Sequence, residues 1–249
     1  NIGGISPFAA LNQHVIFENG IVGVVSSEPI EDISKLKLTN MFIDIGAINK
    51  REAENLICIG DICVYKMEYC ENDNVIFGKC LDDRVGCYIA IEAIKRIENP
   101  ENDLYFVFTV QEEVGLRGAK TSAYGINPEI GIALDVTGSG DTPKAKTLAL
   151  KLGEGVAIKV KDNSILTHPK LRNIMIDVAK SNNIPYQMEV LEFGGTDSGA
   201  IHLTKEGVPS GVISIPTRYI HSTIEMASKN DIINSIKLLI ELLNENIIL

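Results

Sequence analysis

The sequence has no tryptophan, and only seven tyrosines and seven phenylalanines among its 249 residues. A cleft that binds sugar is usually lined with aromatics, so this scarcity weighs against carbohydrate as substrate. Basic residues are also few, with 23 lysines and arginines against 33 acidic residues and a formal net charge of −10. Binding a phosphate backbone needs a basic face, which excludes nucleic acid as a partner. No apolar run approaches the ~18 residues of a membrane span, so no membrane association is expected. The five cysteines, Cys58, Cys63, Cys70, Cys80 and Cys87, are odd in number and lack zinc-finger spacing. They read as free thiols in a reducing, cytoplasmic setting. Internal repeats, heptads and low-complexity tracts are missing. What remains is a chain that is 45% hydrophobic and long enough to bury a substantial core.

The patterning changes once. Residues 1–72 carry short strand-like runs, His14 to Glu18, Ile21 to Ser26, Met41 to Ile45 and Asp61 to Lys66, with a helical stretch near Lys50 to Leu56. This predicts a small β-rich unit. Residues 73–249 alternate strands with helices, which predicts an α/β domain with a mostly parallel sheet and helices on both faces. Its helices include Lys170 to Ser181 and Asp231 to Asn244, the latter with Ile232, Ile233, Ile236, Leu239, Ile240 and Leu243 as its apolar stripe.

Carboxylates collect at predicted strand ends, where open α/β sheets bind ligands. The apolar run from Leu104 to Val110 reads as a strand buried on both faces, and it delivers Glu112 and Glu113 into a glycine-rich turn. On their own, two adjacent glutamates are more readily a solvated acidic loop, and it is the rest of the chain that reverses this. Asp82 and Asp83 fall between a strand-like run, Asn74 to Lys79, and a helical pattern holding Val85, Ile89, Ile91, Ala93, Ile94 and Ile97. One Asp serves a helix N-cap, and the second needs another reason. Asp135 ends the apolar run Ile130 to Leu134, where a carboxylate is costly unless paired or bound to a cation. His221 lies in a loop beyond the strand that ends at Pro216. Together, Asp82, Glu113, Asp135 and His221 make an oxygen-rich, imidazole-containing donor set suited to Zn, Mn or Co in a two-metal site.

The ordered stretches Leu81-Asp82-Asp83-Arg84-Val85-Gly86, Val110-Gln111-Glu112-Glu113-Val114-Gly115-Leu116-Arg117-Gly118, Ala133-Leu134-Asp135-Val136-Thr137, Gly194-Gly195-Thr196-Asp197-Ser198-Gly199 and Arg218-Tyr219-Ile220-His221-Ser222 resemble the tetrahedral dinuclear metallo-aminopeptidases. That family is also labelled glutamyl aminopeptidase and, historically, cellulase. The likeness runs along essentially the whole chain. It implies peptide substrates and two divalent ions, Zn or Co. It further implies homo-oligomers in which dimers assemble into a dodecamer, with residues 1–72 as the dimerisation insert. By resemblance Asp82 bridges the ions, Glu112 is the general base, and Glu113 and His221 share one ion. Asp135 holds the other, Asp83 supports Asp82, and Gly195, Thr196 and Asp197 lie on a loop that contacts substrate or supports the site.

The family's further metal ligand is a histidine in a His-x-Asp motif, and none of the four histidines here has Asp two residues on. His14, His168 and His202 read as structural. The chain opens on Asn1, and the catalytic domain is expected to lack its N-terminal portion. Three readings follow. The first is metal-dependent removal of N-terminal residues from peptides. The second is a glycoside hydrolase, whose two carboxylates must flank a bond about 5–9.5 Å apart, a poor match to adjacent Glu112 and Glu113. The third is a catalytically inactive assembly subunit.

Overall fold

The computed structural model describes residues 3–98, 100–145 and 149–249. Two sheets form. Strands β1 (His14–Phe17), β2 (Val22–Ser27), β3 (Met41–Asp44) and β4 (Cys63–Tyr65) make an antiparallel sheet in the order β3-β2-β1-β4. Its inner face packs Val15 and Val25 with Ala10 of the short helix α1 (Pro7–Ala10), and the helix α2 (Lys50–Leu56) connects β3 to β4. Alternate positions point outward, so Val22, Val24, Phe42 and Val64 are exposed.

The larger sheet has seven strands. These are β5 (Cys70–Glu71), β6 (Val75–Gly78), β7 (Gly131–Gly138), β8 (Val156–Lys161), β9 (Tyr186–Val190), β10 (Ser210–Arg218) and β11 (Glu225–Ser228). The order is β5-β6-β11-β10-β8-β9, with β7 on the other edge of β10. Only β7–β10 and β8–β9 are parallel, while β5–β6, β6–β11, β11–β10 and β10–β8 are antiparallel. The sheet is therefore mixed rather than mostly parallel. The tight return from β10 to β11, and β6 beside it, make neighbours run in opposite directions, which a crossover helix would have prevented.

Helices lie against both faces. The helices are α3 (Leu81–Arg96), α4 (Arg117–Ile126), α5 (Pro169–Ser181), the single turn α6 (Ser198–Ile201) and α7 (Lys229–Asn244). Gly211 on β10 faces Leu171 and Met175 of α5. Gly131, paired with Ser210 one residue earlier on β10, faces Ile201 of α6 on the opposite side. The main core joins Val85, Ile89 and Ala93 of α3 to Ile158, Ile213, Ile215 and α7. Each of these valine and isoleucine side chains stabilises the fold by roughly 1.5–3 kcal/mol through burial. On α3 the buried stripe keeps a four-residue spacing, leaving Ile91 and Ile94 exposed. On α7, Leu238 and Leu242 are buried with Ile232, Ile236 and Leu239, while Ile233 is exposed.

The run from Leu104 to Val110 departs from expectation. It is extended but carries no strand pairing among the described residues, and Tyr105, Val107, Phe108 and Val110 are exposed. Its composition favours a strand, but a strand exists only where a neighbour supplies the ladder. No helix is long and apolar enough to cross a membrane among the described residues.

Candidate metal and catalytic centre

Three turns bring the site together. The first follows β6, where Cys80 takes a left-handed backbone (φ 51°) and Asp82 and Asp83 are non-helical before α3 proper begins. The second follows the extended 104–110 run, where Gln111 is also left-handed (φ 60°) and places Glu112 and Glu113 in a 3-10 turn. The third follows β10, where Tyr219 and His221 are both left-handed (φ 62°). Non-glycine residues held in this region cost free energy and gather at functional sites.

These turns converge on one point. Donor atoms of Asp82, Glu113 and His221 all lie within 4.8 Å of one another. His221 Nε2 is 3.2 Å from Asp82 Oδ2 and 3.2 Å from Glu113 Oε2. Hydrogen bonds donated to these two carboxylates, Asp82 first, hold the imidazole's pKa up at about 10. The same bond from His221 keeps the Glu113 carboxyl below its usual range. Asp82 is pushed up, chiefly by burial.

Around this trio lie more carboxylates. Burial raises Asp83 and Asp135 well above the usual carboxylate range, and the charges of Asp82 and Glu112 push both further in the same direction. Asp135 sits on β7 opposite Ser214 of β10, with Oδ1 accepting from the Val136 amide at 2.8 Å. Asp83 Oδ1 accepts from the Gly86 amide at 3.0 Å, and any Cβ at Gly86 would collide with that carboxylate. Like charges gathered in a half-buried space are costly without a compensating cation. Oxygen and imidazole donors fit a hard or borderline divalent ion, so the residues present suit a metal.

Glu112 stands beside the trio. Its carboxyl is raised to about 7, first by burial and then by the charges of Glu113, Asp197 and Asp82. A carboxylate of this basicity suits a proton carrier near neutral pH.

The 193–197 loop divides. Asp197 Oδ2 accepts from Thr109 Oγ1 at 2.6 Å, which places its charge within reach of Glu112. Gly195 instead faces Ser164, and Thr196 is buried. Ser164 is fixed by Asp162, whose Oδ1 accepts from the Ser164 amide at 2.7 Å and its hydroxyl at 2.8 Å. Asp197 precedes α6 but makes no side-chain cap bond to it. Among the described residues, no other histidine joins this cluster. His168 precedes α5, and His202 Nδ1 is 2.9 Å from the Ser198 carbonyl.

Three features of the site escaped the sequence reading. Glu225 is almost wholly buried at the start of β11, and its carboxylate accepts from the backbone amides of Asp82 (2.9 Å) and His221 (3.0 Å). Gly4 donates its amide to the Glu113 carboxylate, and a Cβ there would lie 2.5 Å from His221 Nδ1. Thr109 ties the loop at Asp197 to the glutamate turn. The signals available for the first two were faint: an acidic residue at a strand start and a glycine pair near the start of the chain.

The chain matches the peptidase family described as M42 glutamyl aminopeptidase over residues 1–238. A relative from Acetivibrio thermocellus is 50% identical over 241 residues, which are 96% of this chain and 73% of that protein. Among solved structures, an aminopeptidase from the archaeon Desulfurococcus kamchatkensis superposes with a TM-score of 0.92 at 40% identity, covering 97% of this chain and 71% of that one. The Pyrococcus horikoshii TET1 peptidase, described as assembling into a tetrahedron or a large octahedral shell, superposes with a TM-score of 0.83 at 32% identity, covering 99% of this chain and 76% of that one.

Proposed function

Because this chain belongs to the M42 glutamyl aminopeptidase family of peptidases, we propose that it removes N-terminal residues from peptides in a metal-dependent reaction. The observation that carries the reading is the meeting of Asp82, Glu113 and His221 donor atoms within 4.8 Å, with Glu112 alongside. Asp82, Glu113 and His221 would hold one divalent cation, zinc or cobalt. Asp82 and Asp135, supported by Asp83, would hold a second. Bound cations supply Lewis acidity that polarises the scissile carbonyl and eases deprotonation of water. Glu112 accepts the proton of the attacking water and returns it to the leaving amine. Asp197, held by Thr109, keeps Glu112 basic through its charge. A glycoside hydrolase reading has no support from this arrangement, because the two glutamates are adjacent and one of them sits in the cation cluster.

The first sheet, with Val22, Val24, Phe42 and Val64 exposed on its outer face, would serve as the dimerisation surface. Homo-oligomers built from such dimers, up to a dodecamer, suit this face and the assemblies described for the Pyrococcus horikoshii peptidase. A cytoplasmic location suits the five free cysteines. The test is release of the N-terminal residue from an aminoacyl-anilide or short peptide, before and after chelation. Turnover that survives complete metal removal would sink the proposal.

A further inference from the structure

Glu225 joins two segments that the chain sequence keeps far apart. Register pairs it with Gly78 across β11 and β6, just before the Cys80 turn, so its side chain points at the start of α3. One carboxylate oxygen, Oε2, accepts from the Asp82 amide at 2.9 Å, and the other, Oε1, accepts from the His221 amide at 3.0 Å. Both anchored residues sit in turns with left-handed positions, His221 being one itself and Asp82 following Cys80 by two residues. Each turn has a further tie of its own, Arg84 Nε donating to the Cys80 carbonyl at 2.9 Å and the Ser222 amide donating to the Tyr219 carbonyl at 3.1 Å, but neither of these links the two turns. The side chain is 2% exposed, so water does not compete for these bonds.

We infer that Glu225 is a positioning residue, which fixes Asp82 and His221 relative to each other so that their side chains meet at one cation. The inference rests on the metal-dependent reading above. It assigns to Glu225 no contact with substrate or ion. A carboxylate is the side chain suited to the task, because it offers acceptors only and can serve two amides at once. Glutamine in its place keeps the volume but turns one acceptor into a donor facing an N–H. One turn is then released while the other stays anchored.

The test is calorimetric titration of the metal-free chain with zinc alone, for wild type, Glu225→Gln and Asp231→Asn. Asp231 is the control because its carboxylate also staples two backbone amides, Gly153 at 2.7 Å and Gly155 at 2.9 Å, away from the cation cluster. Losing a partner that orients metal ligands typically weakens metal binding 10–100-fold. Glu225→Gln is expected to show that loss, and Asp231→Asn to lower thermal stability with zinc affinity unchanged. Glu225→Asp, which keeps two acceptors on a shorter arm, should recover part of the affinity. Wild-type affinity in Glu225→Gln would overturn the inference alone, as would an equal loss in Asp231→Asn. Failure of Glu225→Gln to fold would overturn it too, since the role would then be structural. A wild-type chain that binds no zinc would overturn the metal reading and this inference together.

Discussion

His221 Nε2 and Glu113 Oε2 stand 3.2 Å apart, though one comes from the turn after β10 and the other from the turn after an unpaired extended run. His221 Nε2 pairs with both Glu113 Oε2 and Asp82 Oδ2, the latter also at 3.2 Å. Asp82, Glu113 and His221 would hold a divalent ion here, which would supply Lewis acidity. Removing metal with a chelator should abolish turnover while the fold persists, because the main apolar core is built from residues other than Asp82, Glu113 and His221. Circular dichroism and activity measured on the same chelated sample check this, and activity should return on adding zinc or cobalt. Loss of the folded signal on chelation would contradict it.

Glu112→Gln should bind metal as the wild type does and lose about 10²–10⁴-fold in turnover, the usual cost of removing a general base. Glutamine keeps the shape of the side chain but cannot take up a proton. Zinc titration and peptide hydrolysis on the same preparation separate the two effects. Normal turnover would remove Glu112 from the mechanism.

The meeting of three side chains was legible in the sequence. Asp82, Glu113 and His221, whose donor atoms lie within 4.8 Å of one another, sit in compact motifs of residue types that can ligate metal, and Glu112 and Asp135 sit in the same motifs or one like them. Glu225 was hidden because its work is done on backbone amides, and one glutamate at a strand start looks like any other. Gly4 was hidden because its contribution is the absence of a side chain. The run from Leu104 to Val110 was misjudged for a different reason. Apolar, β-branched and aromatic composition reports what a segment suits, whereas pairing depends on which neighbour lies beside it. The same limit explains the sheet. Alternation of strands and helices suggested parallel neighbours, but strand direction for β6, β10 and β11 is decided by how they meet in space. The four short strands before Cys70 emerged within a residue or two, since period-two patterning and turn residues bound them locally.

Arg218 and Asp141 should set an acid limit on stability. Arg218 Nε and Nη2 donate to Asp141 Oδ1 and Oδ2 at 3.0 and 2.7 Å, and the Leu152 amide also donates to Oδ2 at 2.9 Å. The Arg218 bonds hold the Asp141 carboxyl far below its ordinary 3.8. A carboxyl depressed on folding contributes stability that is present above its unfolded pKa and lost as pH falls toward the folded one. Asp141→Asn should cost about 1.5–3 kcal/mol at pH 7, the range for hydrogen bonds to charged groups. Its deficit relative to wild type should shrink as pH drops below about 4, because wild type then loses the same contribution. Urea unfolding at pH 7 and pH 3 measures both gaps. A deficit that stays constant would show that the charge on Asp141 is not what stabilises.

A buried lysine, Lys159, should carry a large share of the stability of this part of the fold. Lys159 on β8 and Glu189 on β9 are register partners, and both are essentially fully buried. Lys159 Nζ donates to Glu189 Oε1 at 2.5 Å and lies 3.2 Å from Asp162 Oδ2. Asp162 in turn holds Ser164 against Gly195 and Gly199, so the cluster braces the loop that carries Asp197. Replacing Lys159 by methionine keeps the stem and removes the charge, leaving two buried carboxylates facing each other uncompensated. Breaking a buried pair on one side typically costs about 3–5 kcal/mol, whereas replacing both partners by apolar residues is often close to neutral. Lys159→Met should therefore destabilise severely, and adding Glu189→Leu should recover a large part of the loss, with Asp162 left to its turn amides. Chemical denaturation of the single and double variants decides it. A double variant no more stable than Lys159→Met would mean that the penalty comes from lost packing of the lysine stem, and not from the stranded charge.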